Sequence, residues 1–71
     1  MKFIPGTKFI NNTTKNTRSF KRGVLYVLNN ISKTENGISY VFSLPQTGER
    51  KEVVFESAQQ ADNYLSHINV N

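Results

Sequence analysis

Cysteine is absent from the 71 residues, and so is tryptophan. Without thiols there is neither a disulfide framework nor a thiolate zinc site, so side-chain packing must hold the fold alone. Histidine occurs once, as His67. A single imidazole with scattered acids does not make a metal cluster. The four glycines, Gly6, Gly23, Gly37 and Gly48, are isolated from one another, which excludes a glycine-rich phosphate loop. No apolar run approaches the ~20 residues of a membrane span. The start, Met1 to Gly6, turns at Pro5-Gly6 without an apolar stretch, so no signal peptide is expected and a soluble, cytoplasmic protein is. Most informative is the acid missing from the first half. Residues 1–34 carry Lys2, Lys8, Lys15, Arg18, Lys21, Arg22 and Lys33 with no Asp or Glu. Residues 35–71 carry Arg50 and Lys51 against Glu35, Glu49, Glu52, Glu56 and Asp62. Part of the surface should therefore be positive and attract phosphates or an acidic protein patch.

A chain of this length makes one small domain with a modest stability of about 4–7 kcal/mol. Asparagine is unusually frequent, at nine residues. Such a bias is common in proteins of AT-rich genomes, phages and mobile elements among them.

The element pattern is mainly β with one C-terminal helix. A short strand is expected over 7–10, after the Pro5-Gly6 turn. Residues 11–19 hold no apolar side chain and should form a solvated basic loop reaching to Gly23. The apolar run Val24 to Leu28 opens a three-stranded meander spanning 24–55. Asn36-Gly37 predicts a two-residue hairpin loop that pairs Glu35 with Ile38 and Ile31 with Phe42. Pro45-Gln46-Thr47-Gly48 is a second turn, and a two-residue loop at Thr47-Gly48 within it pairs Phe42 with Val53 and Tyr40 with Phe55. Both turns then place Ile31, Phe42 and Val53 on one face, with Tyr40 and Phe55 beside them. Ser57 is a good helix N-cap with Gln60 three residues on, and Ala61, Tyr64, Leu65 and Ile68 form an apolar stripe along a helix over 58–68.

A short strand, a long polar loop and then a tight meander resemble the small Src-homology-3-like barrels in element order over residues 3–56. The resemblance implies a small antiparallel barrel. It implies no proline-rich ligand, because the long loop is basic and there is no tryptophan. A plain meander with a helix packed across it is the alternative.

Catalysis is not expected. His67 stands near the end of the helix beside the apolar stripe, and Asp62, five positions earlier, lies off its face. Glu52 and Glu56 can share a strand face, but Arg50 and Lys51 among them make a mixed surface. No cofactor or small-molecule substrate is implied.

The segment from Lys15 to Gly23 is the best candidate for function. Lys15, Arg18, Lys21 and Arg22 surround Phe20, with hydroxyl and amide side chains between them. Such a loop suits a nucleic-acid backbone, with Phe20 stacking on a base. Alternatively Phe20 turns inward, and a long polar loop does need an anchor. Lys8 and Lys33 are candidates to extend the patch. Tyr26 lies in a run that is apolar on both faces, so it is either core or an exposed stacking or apolar contact.

Two functions follow. The first is a nucleic-acid-binding protein whose four or five phosphate contacts give a log–log salt slope of about −4. The second is a protein-interaction module, for instance a phage-type early protein, that docks on an acidic patch with an apolar contact near Tyr26 or Phe20. The chain is expected to be a monomer or weak dimer, since an unpaired edge strand offers a self-contact.

Overall fold

The computed structural model describes residues 2–11 and 20–68. Four strands, β1 (Lys8–Ile10), β2 (Leu25–Thr34), β3 (Gly37–Leu44) and β4 (Glu49–Phe55), precede one helix, α1 (Ala58–Ile68). They form a single antiparallel sheet in the order β1-β2-β3-β4.

The sheet is open, and the barrel implied by element order is not formed. The three residues of β1 pair with β2 alone and β4 pairs with β3 alone, so the two edge strands are not joined. Helix α1 lies across the gap and contacts both edge strands. The alternative, a meander with a helix packed across it, is the fold.

The turns depart from expectation by two residues each. Thr34 pairs with Gly37 and Ile31 with Tyr40, so the first loop is Glu35-Asn36. The Thr34 hydroxyl holds this turn, accepting from the Asn36 N–H and donating to the Gly37 carbonyl. Gly37 serves a close approach instead of a central turn position. With φ at 140°, a Cβ there would stand 2.1 Å from the backbone oxygen of Phe55. The second loop takes four residues, because Pro45 presets the turn that begins at Leu44. The N–H groups of Thr47 and Gly48 both donate to the Leu44 carbonyl, at 3.1 and 2.8 Å. A shift of two preserves the side-chain alternation. The core row is consequently Ile31–Tyr40–Val53, with Leu28–Phe42–Lys51 next to it.

A bulge between Leu28 and Asn30 resolves the ambiguity of β2. The extra residue, Asn29, reverses the alternation, so Tyr26 and Leu28 join Ile31 on the core face while Leu25 and Val27 point away. An unbulged strand with Ile31 inward would have buried Asn29 and exposed Tyr26.

The core consists of Phe9, Phe20, Tyr26, Leu28, Tyr40, Phe42, Ala61, Leu65 and Ile68. Three of these come from the helix stripe, and the fourth stripe residue, Tyr64, packs half-buried against Phe20 and Phe55. Helix α1 starts where expected, with the Gln60 N–H donating to the Ser57 hydroxyl at 3.2 Å. The N-terminal residues lie along it. The Lys2 N–H donates to both Asp62 carboxylate oxygens at 3.1 Å, and the Phe3 ring meets Phe9 edge-on at 4.9 Å.

Candidate nucleic-acid interface

Phe20 anchors the basic loop. Its ring is fully buried, edge-on to Tyr26 at 4.7 Å and to Phe42 at 5.0 Å. Burying so much apolar area outweighs leaving it for a ligand. Tyr26 is likewise core, and its hydroxyl accepts from the Lys21 N–H at 2.9 Å. Phe20 thus turns inward as the loop's need of an anchor suggests, and Tyr26 takes the core side of its two alternatives, so neither ring is a stacking surface or an exposed apolar contact.

The chain around Phe20 is held by polar contacts at the loop's two ends. The buried Asn11 side chain donates to the Phe20 carbonyl at 2.9 Å, and the Gly23 N–H donates to the Asn11 carbonyl at 3.2 Å. These bonds and the isolated bridge between Asn11 and Arg22 fix where Lys21 and Arg22 leave the core. Both side chains are exposed. Lys15 and Arg18 lie outside the described residues.

Beside Lys21 lie cations from outside the basic loop. A cleft of about 280 Å³ is lined by Lys21, Val24, Tyr26, Leu44, Thr47, Glu49, Arg50 and Lys51. The sheet register explains the gathering. Leu44 pairs with Glu49 and Phe42 with Lys51, so Leu44, Glu49 and Lys51 share the core face near the β3–β4 turn. No residue of α1 lines the cleft. The Leu25 N–H donates to the Gln46 side chain at 3.1 Å, which ties the start of β2 to that turn. Among the described residues, no carboxylate pairs with Lys21, Arg50 or Lys51.

Lys8 belongs to the opposite face. It pairs with Val27, which is opposite Ser43, which is opposite Arg50, so Lys8 and Arg50 end one row across all four strands. Lys33 does not join them. It pairs with Ile38 at the far end of the sheet and lines a separate hollow with Glu35 and Glu56. Phe55, which continues that pairing, is four positions along β4 from Lys51, about 13 Å away.

The sequence signal for Arg50 and Lys51 is their adjacency at the head of a charged strand, a pattern that a mixed surface produces equally well. Lys51 also has a structural role. A charge on the inner face of an edge strand discourages pairing with another sheet, and its stem covers apolar neighbours.

Among the described residues no cluster of His, Cys, Asp or Glu could hold a metal ion, and no helix is long and apolar enough to cross a membrane. Comparison with protein-family models, curated proteins and solved structures found no match, so the functional reading rests on this chain's own residues.

Proposed function

We propose that this protein binds nucleic-acid phosphates through a basic surface that Lys21 and Arg22 share with Arg50 and Lys51. The observation that carries the reading is the meeting of Lys21 and Lys51 in one cleft, with Arg50 bordering it from the other face of β4, three cations with no carboxylate partner among the described residues. Such cations gain most from a polyanion, because binding releases its condensed counterions. The four acids outside this cleft sit elsewhere. Glu35 and Glu56 flank the far hollow, Asp62 accepts from Lys2, and Glu52 accepts from the Ser39 hydroxyl.

Fluorescence anisotropy with labelled oligonucleotides tests this. Three or four phosphate contacts should give a log–log salt slope of about −2 to −3 on single strands. The variant Lys21→Gln/Arg50→Gln/Lys51→Gln keeps the side-chain stems, and should lose binding while unfolding at the same urea concentration as the parent. Absence of binding at about 50 mM salt, where the backbone contribution is strong, would overturn the proposal.

A second reading, docking of a protein partner, draws support from the sheet face away from α1. Ile10 and Val54 are exposed there, at 40% and 47%, beside half-buried Leu25, Val27 and Val41. An apolar contact for this reading belongs on that face and not at Phe20 or Tyr26. If Ile10→Asp/Val54→Asp abolished binding to an isolated partner while the oligonucleotide assays stayed blank, this reading would replace the first.

A further inference from the structure

The cleft contains one group that a phosphate clamp does not need. Glu49 shares the cleft and the core face of β4 with Lys51, near Lys21, and its carboxylate has no hydrogen-bond or ion-pair partner among the described residues. Its own backbone N–H donates to the Thr47 hydroxyl, which fixes the turn that presents it. A bare carboxylate repels a phosphate, so the phosphates of a bound strand must lie toward the cations and away from Glu49. What the carboxylate can accept is a group with hydrogen-bond donors and no charge of its own.

The walls narrow the choice. Val24 and Leu44, both half-buried, make apolar contact surface in the cleft, while α1 contributes nothing to close it. At about 280 Å³ the space is near the lower limit for a small-ligand site. It suits one planar ring system lying on aliphatic side chains. A base paired within a duplex cannot enter such a cleft, whereas one in a single strand can turn out of the stack. Among bases, guanine presents two adjacent donors, the N1–H and the N2 amino group, that match the two oxygens of a carboxylate. Cytosine and adenine present one amino group on that edge, and thymine a single ring N–H between two carbonyls.

We propose that this cleft is a guanine-reading subsite for single-stranded nucleic acid, with Glu49 accepting from the base and Lys21 and Lys51 holding the adjoining phosphates. The inference rests on the nucleic-acid reading above and specifies its substrate. It divides the cleft by charge: the base lies against Leu44 and Val24, with its donor edge toward Glu49. Glu49 thus gives selectivity at some cost in general phosphate affinity.

The test compares a dT-rich single strand carrying spaced dG with the same strand carrying hypoxanthine, which lacks only the N2 amino group. It adds the corresponding duplex and free guanosine monophosphate. Expected is a roughly five- to tenfold preference for the dG strand over the hypoxanthine strand, the range for one base-edge contact. The duplex and the free nucleotide should bind more weakly than the dG strand. In Glu49→Gln the preference should vanish, while affinity for the hypoxanthine strand rises or holds, because one negative charge is gone. Leu44→Ala should weaken the single strand and leave the salt slope unchanged. Equal binding of all strands, with Glu49→Gln improving each alike, would overturn the guanine subsite and leave the phosphate interface standing. Free nucleotide binding as tightly as the strand would overturn the assignment to a strand. No binding of any nucleic acid would overturn both.

Discussion

Replacing Gly37 by alanine should cost this domain about half of its stability. The φ of 140° is one that L-residues rarely adopt, and such strain costs about 1–3 kcal/mol. Sterics add to it. The new Cβ would lie 2.1 Å from the Phe55 oxygen, 3.0 Å from its carbonyl carbon and 3.2 Å from the Glu56 Cα. All three atoms are backbone, so no rotamer change relieves the contact. To reach the 3.4 Å at which ordinary contact begins, the end of β4 must withdraw by more than an ångström. That withdrawal opens the Ile38–Phe55 end of the ladder and disturbs the approach to Ser57, the helix cap. One or two hydrogen bonds at about 1 kcal/mol each bring the total to about 3 kcal/mol.

Gly48 supplies the control. Its φ of 79° is also left-handed, but nothing lies within 4 Å of a Cβ built there. Gly48→Ala should therefore cost only the backbone strain, about 1–2 kcal/mol. Urea unfolding of both variants, followed by circular dichroism, measures the difference, with an unchanged m-value as the condition for comparing midpoints. Gly37→Ala is expected to be the weaker by about 1–2 kcal/mol, the sum of the ladder bonds it opens. If it were no less stable than Gly48→Ala, the close approach of β4 to Gly37 would be refuted.

Phe20→Ala should destabilise by about 3–5 kcal/mol, leaving little folded protein, whereas Phe20→Leu should fold and still bind oligonucleotides. Loss of binding in a folded Phe20→Leu would restore the ring as a stacking surface. Ser57→Ala removes the acceptor for the Gln60 N–H and should cost about 1 kcal/mol by thermal melting. Tyr40→Phe should be neutral or stabilising by up to about 1 kcal/mol, because the Tyr40 hydroxyl is buried with no hydrogen-bond partner among the described residues. Burial, and secondarily the charge of Asp62, raises the Tyr40 pKa above 10.0. A group that binds its proton more tightly when folded keeps its full contribution below the unfolded pKa and loses it as pH rises through the folded one. Chemical denaturation above about pH 10 should accordingly show an alkaline loss in the parent that is smaller in Tyr40→Phe.

Much of the fold was legible because its errors preserved parity. Each hairpin slipped by two residues, so Tyr40, Phe42, Val53 and Phe55 remained on the face assigned to them although their partners changed. Turn propensity misplaced the loops for identifiable reasons. Gly37 answers to a neighbouring strand instead of its own turn, and Pro45 starts the second turn earlier than Thr47-Gly48 suggested. Helix α1 was found at its observed bounds, since a cap and a stripe are local signals. The bulge at Asn29 was hidden, because Val24 to Leu28 is apolar on both sides and alternation there has no phase. Closure was also illegible: element order says nothing about whether α1 or β4 will fill the space beside β1.

The candidate site shows why a division of charge along the chain is not a division in space. Cutting the sequence after residue 34 assigned Arg50 and Lys51 to the acidic half. The antiparallel return of β4 carries them back beside Lys21, and places Arg50 in one row with Lys8. The same return takes Lys33 away to Glu35 and Glu56. Register, more than composition, therefore concentrates positive potential at one end of the sheet. The four-residue loop from Pro45 to Gly48 sets that register. With the expected two-residue loop, Arg50 would have stood opposite Pro45, beyond the end of β3, and not opposite Ser43. Moving β4 by those two positions would leave the composition, the net charge and the inward-facing residues unchanged, and would remove Arg50 from its row with Lys8.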